Sequence, residues 1–83
     1  MLIHSPHELA MLLKNRRKLL KLNQAQVGSL VGLKQKTISA IENNAENIRL
    51  NTLFRILSAL DLDINISPKN EINIVAKQWN DEW

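Results

Sequence analysis

The chain has 83 residues, 45% of them hydrophobic and 4% aromatic, with no cysteine; this is room for one small domain and excludes a large catalytic core, disulfide staples, thiolate zinc sites and a thiol nucleophile. No apolar run approaches a membrane span, and Met1-Leu2-Ile3-His4 lacks the basic start and apolar core of a secretory signal, so the expectation is a soluble cytoplasmic protein. The net charge of +3 divides unevenly, +6 over residues 1–58 and −3 over residues 59–83, which suits a polyanionic partner for the body and a different partner for the tail.

Ser5-Pro6-His7-Glu8 reads as a helix start, with Ser5 as N-cap, Pro6 at the first helical position and Glu8 three residues after the cap. The helix is expected to run to about Lys21. Leu9, Leu12, Leu13, Leu19 and Leu20 supply an apolar face, and Lys14, Lys18 and Lys21 a basic one. His4, His7 and Glu8 are the one close set of metal-type side chains, but their place at a helix start suits capping better than ligation, so no metal and no cofactor is expected. With no Gly-rich phosphate loop and no Ser/His/Asp set either, an enzyme is not expected.

Asn23 with Gln26 repeats the capping box and opens a second helix, Gln24 to Val31, which Gly32 closes. A third follows at once, from about Gln35 to Asn43. Val27, Val31, Leu33, Ile38 and Ile41 are spaced to form a shared core beneath this pair, which leaves Gln35, Lys36, Ser39 and Ala40 facing outward from the third helix. That outward set suits the DNA major groove: Gln can pair with adenine, Lys can reach guanine acceptors or phosphate, and a methyl can touch thymine. Asn23 and Gln24 begin the second helix, where backbone N–H groups and the helix dipole favour a phosphate. Asn43 to Asn47 is a polar loop, and Leu50, Leu53, Phe54, Leu57 and Leu60 mark a fourth helix.

At Leu62 the period changes. Leu62, Ile64 and Ile66 alternate with Asp63, Asn65 and Ser67 until Pro68, the pattern of a half-buried strand, which needs a pairing partner. Two are available: Ile72 to Val75 in the same chain, or the same strand of a second copy, which would make a two-fold dimer. The end, Lys77 to Trp83, has no apolar periodicity and is expected to be disordered in isolation. Trp79 and Trp83, close together in a chain with no other Trp or Tyr, suit an aromatic anchor for a partner.

The stretch Leu22 to Asn43, with Gly28 and Gly32 where the motif needs its smallest side chains, resembles the helix-turn-helix of the phage-repressor (XRE) family. The resemblance extends from about Leu9 to Leu60. It implies base contacts from the Lys34 to Ala40 stretch, Lys34 included, backbone contacts from Thr37 and Asn43 beside Asn23 and Gln24, and a partly buried ion pair between Arg17 and Glu42. Phage repressors of this type usually continue into a fifth helix, whereas here a strand and a Trp-ended tail follow. In that respect, and in Lys34-Gln35 with Thr37-Ile38-Ser39 and Glu42-Asn43-Asn44, the chain is similar to the HipB antitoxins. That similarity implies a HipA-like serine/threonine kinase toxin, single or split, as partner, and repression of the operon encoding the pair. The expected fold class is mainly α: a four-helix helix-turn-helix domain (1–61), one short β-strand pairing across a homodimer (62–68, with Asp63, Ile64, Asn65, Ile66 and Ser67) and a flexible tail (69–83). A stand-alone repressor and a protein-interaction adaptor are the competing functions; retained Gln35 and Lys36 weigh against the adaptor, and the tail against the stand-alone repressor.

Overall fold

The computed structural model describes residues 2–69. Four helices follow in order: α1 (Pro6–Leu19), α2 (Gln24–Val31), α3 (Gln35–Asn43) and α4 (Leu50–Ala59). Two of their starts are fixed by local chemistry. The Ser5 hydroxyl accepts from the Glu8 N–H at 3.1 Å, while the Glu8 carboxylate reaches back to the His4 N–H. At α2 the Asn23 carbonyl accepts from the Gln26 N–H (2.7 Å) and the Gln26 carbonyl from the Asn23 N–H (2.8 Å), a reciprocal box that satisfies two otherwise unpaired donors. Lys34 and Arg49, at the starts of α3 and α4, form no side-chain cap.

Three of the four helices, α1, α2 and α4, are followed by a left-handed residue. Gly32 closes α2 at φ 75°, leaving a turn of two further residues before α3. Lys21 (φ 59°) and Asp61 (φ 56°) do the same work without being glycine. After each, a leucine N–H bonds back across the last turn, Leu22 to the Arg17 carbonyl (3.1 Å) and Leu62 to the Leu57 carbonyl (2.8 Å). Each leucine then packs against the core, so both helices finish in the same hydrophobically anchored hook.

The core joins Leu13 of α1, Val27 and Val31 of α2, Ile38 and Ile41 of α3, and Ile56, Leu57 and Leu60 at the end of α4, with Leu33 packed at its edge. α3 lies against both α1 and α2, and α2 against α4. Two expected faces differ from this arrangement. In α1 the buried stripe is Ala10, Leu13 and Arg17, while Leu19 stands 71% exposed and Leu20 37% exposed. Leu19 lies some 120° around the helix from Leu13, and Leu20 falls beyond the last turn. In α4, Ile56, Leu57 and Leu60 point inward, but Leu50 (67% exposed) and Phe54 (52%) do not.

Residues 62–68 are neither helical nor paired as a strand within the described residues, and beyond Leu62 the alternation leaves Ile64 and Ile66 exposed. The expected strand therefore has no partner among the described residues. The hairpin partner Ile72 to Val75 and the tail with Trp79 and Trp83 lie outside the described residues. No helix among the described residues is long and apolar enough to cross a membrane.

Candidate nucleic-acid interface

The close approach of α2 and α3 positions the site. Gly28 is buried on α2, and a Cβ there would stand 2.5 Å from the Leu33 carbonyl oxygen and 3.4 Å from the Gln35 nitrogen. Only a residue without a side chain lets the turn fold this tightly over the helix, which brings the first residue of α3 beside the first residue of α2. The Leu33 N–H seals the turn on the Gly28 carbonyl at 2.8 Å.

From that junction a polar chain runs into the interior. The Gln35 Nε2 donates to Gln24 Oε1 (3.0 Å), and the Gln24 Nε2 donates to Glu42 Oε1 (3.1 Å). Glu42 in turn is held by a fork: Arg17 Nε donates to Oε2 (2.6 Å) and Arg17 Nη2 to Oε1 (3.0 Å), with the third guanidinium direction, Nη1, on the Leu22 carbonyl (2.9 Å). Both partners are about nine-tenths buried. The ion pair thus ties the end of α3 to α1 and to the loop that opens α2. No buried side-chain N or O atom among the described residues lacks a partner, as the high cost of an unpaired buried polar group requires.

Electrostatics follow from the geometry. The hydrogen bond to Glu42 raises the Arg17 pKa above its ordinary value; burial opposes this, and the attraction of Glu42 adds to it. For Glu42, burial pushes the carboxyl up. The hydrogen bonds from Arg17 and Gln24 and the charges of Arg17 and Lys14 outweigh it and hold the group below the usual carboxylate range. The pair is therefore fully ionised at neutral pH, and the Gln24 amide, donating to Glu42 and accepting from Gln35, has one fixed orientation.

That orientation reaches the surface at Gln35. One N–H of its amide is spent on Gln24, which leaves the carbonyl oxygen and the second N–H for an incoming ligand. An acceptor beside a donor on one rigid amide is the pattern that complements the N6 and N7 edge of adenine. Lys34, Lys36, Thr37 and Ala40 are exposed along α3 and Ser39 is half-buried beside them. Asn43, at the far end of the helix, is exposed as well. Asn23 is exposed, but its side-chain oxygen is taken by the α2 cap. Gln24 is half-buried and engaged on both sides. Asp63 to Ser67 stand apart from this surface, at the exit from α4. The sequence reading missed the connecting role of Gln24; the available signal was that Gln24 and Gln35 each hold the first position of a helix, on either side of one tight turn. Among the described residues no three His, Cys, Asp or Glu side chains are grouped to hold a metal.

Comparison with known proteins identifies the helical arrangement. The Helix-turn-helix family model matches residues 13–66. Antitoxin HipB of Escherichia coli O6:H1 (strain CFT073) is 38% identical over 82 residues, covering 98% of this chain and 87% of the relative. The chain belongs to the HipB antitoxin family of helix-turn-helix proteins. Among solved structures, HipB in an O4 20mer complex superimposes with a TM-score of 0.79 at 36% identity, covering 84% of this chain and 99% of that one. HipB in a HipA–HipB–O2–O3 complex matches with the same score, identity and coverage. The HipB match thus takes in the helix-turn-helix, the Arg17–Glu42 ion pair and the segment that follows α4.

Proposed function

We propose that this protein is a sequence-specific DNA-binding repressor that serves as the antitoxin of a HipA-like kinase and represses the operon encoding the pair. The observation that carries the reading is the exposed amide of Gln35, held at the head of α3 by Gln24 and backed by a buried ion pair, with Lys34, Lys36, Ser39 and Ala40 along the same helix. Base reading falls to these five residues, and backbone contacts to Asn23, Gln24, Thr37 and Asn43. HipB relatives that assemble with HipA and with a 20mer support the two partners.

Domains divide at 1–61 and 62–68. Asp63, Ile64, Asn65, Ile66 and Ser67 pair with the same residues of a second copy, because the exposed Ile64 and Ile66 and the unpaired backbone lack a partner in the described chain. The resulting dimer sets two recognition helices at the spacing of successive major grooves, about 34–36 Å. The tail, 69–83, carries Trp79 and Trp83 as anchors for the kinase.

Selection of duplexes from a random-sequence pool by the full-length protein tests this reading. The expected product is an inverted repeat with half-sites one helical turn apart; a single asymmetric site, or no enrichment at all, would overturn it. Ile64→Pro, which removes a ladder N–H, should give monomers in sedimentation with all four helices retained.

A further inference from the structure

Arg16 and Arg17 are consecutive on α1, so their side chains leave the helix about 100° apart. Arg17 grips Glu42, one residue from the end of the recognition helix. Arg16 turns the other way, across 44 residues of chain: its Nε donates to the Leu60 carbonyl at 2.9 Å and its Nη2 to the Asp61 carbonyl at 3.4 Å. These are the acceptors that the end of α4 leaves open. The hook there is already closed by the Asp61 N–H on Ser58 and the Leu62 N–H on Leu57, so Arg16 is not needed to finish the helix. What it adds is a charge-assisted fork from another helix onto the two peptide groups from which residues 62–67 depart.

We infer that Arg16 is a positioning residue that fixes the direction in which the dimerisation segment leaves the domain, so that α1, through two adjacent arginines, holds the recognition helix and the dimer exit in one register. The inference rests on the proposed pairing of residues 63–67 between two copies. Asp61 holds a left-handed φ of 56° and Leu62 packs at the core edge, so the carbonyls that Arg16 grips belong to the last two peptide planes before that anchor, and their orientation sets the direction in which Leu62 and Asp63 lead on to Ile64. Holding those planes restricts the angle between the two domains of a dimer. Its consequence is stringency toward half-site spacing: one inserted base pair moves a half-site by about 3.4 Å and rotates it by about 35°.

The test uses full-length protein and the inverted-repeat duplex selected by the wild type, with zero or one base pair inserted between half-sites, and a duplex carrying one half-site. Wild type should lose at least about 10-fold in affinity on the inserted duplex, as the fixed half-site geometry requires. Arg16→Met, which keeps the apolar stem and removes the fork, should reduce that ratio to about 3-fold or less, with single-half-site affinity and the dimer constant unchanged. Arg16→Lys, able to meet only one carbonyl, should fall between, and serves if the Met variant fails to fold. A variant that weakens all three duplexes equally, with the spacing ratio of wild type, would overturn the inference and leave Arg16 a stability residue. A wild type that is monomeric, or that selects no two-fold site, would instead sink the dimer reading and the inference with it.

Discussion

Breaking the Arg17–Glu42 pair should remove a large part of the stability of this domain. Its side chains are 11% and 5% exposed, so water cannot replace the lost partner, and the fork is bidentate with a third bond to Leu22. Removing one member of such a pair leaves a buried charge and costs about 3–5 kcal/mol, whereas replacing both by apolar groups of similar volume is close to neutral. A chain of 83 residues is expected to have about 4–12 kcal/mol in total. Arg17→Met and Glu42→Leu should therefore each lower the melting temperature by about 12–40 °C. The double variant should recover to within about 1 kcal/mol of wild type, giving a coupling of about 5 kcal/mol or more in a double-mutant cycle. Urea unfolding followed by circular dichroism measures all four proteins. A coupling below about 0.5 kcal/mol, the value of an exposed pair, would refute the argument that this pair is dry and structural.

Three further outcomes follow from the same geometry. Because the folded Glu42 carboxyl titrates below its unfolded value of about 4.3, its contribution is complete above that pH and is lost as pH falls through the folded value; the urea midpoint of wild type should drop below about pH 4, and less so in Glu42→Gln. Gly28→Ala gains up to about 1 kcal/mol of helix propensity but drives a methyl against the backbone of Leu33, so it should be net destabilising by about 1–2 kcal/mol in thermal melts and weaken DNA binding by displacing α3. Asp61→Gly relieves a left-handed residue and removes a negative charge from the C-terminal end of α4, so it should stabilise by about 1 kcal/mol; Lys21→Gly relieves the same strain but loses a favourable charge and should gain less.

Features set by neighbours in sequence were legible without coordinates. Ser5 with Glu8 and Asn23 with Gln26 announce two helix starts, and Gly32 an end, because each motif is completed within four residues. The bounds of α2 follow from them. The apolar faces were less legible: α1 carries more leucines than one stripe can hold, and an apolar reading of that stripe passes over Arg17. In α4 the apolar residues exceed what one face can bury, so Leu50 and Phe54 look like core and are exposed. The site was legible where α3 faces out and opaque where it is supported from behind. Gln24 meets Glu42 across 18 residues and Arg16 meets Leu60 across 44, contacts that exist only once the helices have packed. The Arg17–Glu42 pair entered through family resemblance; spacing in the chain does not indicate it. For residues 62–67 the alternating pattern is visible, but a strand is completed by a partner, and the pattern does not name one.

Under the proposed function, α3 reads bases through an amide oriented by Gln24. The measurement that tests this most directly is the affinity of wild type and Gln35→Ala for the selected inverted repeat and for random-sequence duplex of equal length at one fixed salt concentration. Loss of about 1–3 kcal/mol per half-site on the selected duplex, with affinity for random duplex nearly unchanged, is the predicted result. Equal losses on both would place Gln35 on the phosphate backbone and contradict the account.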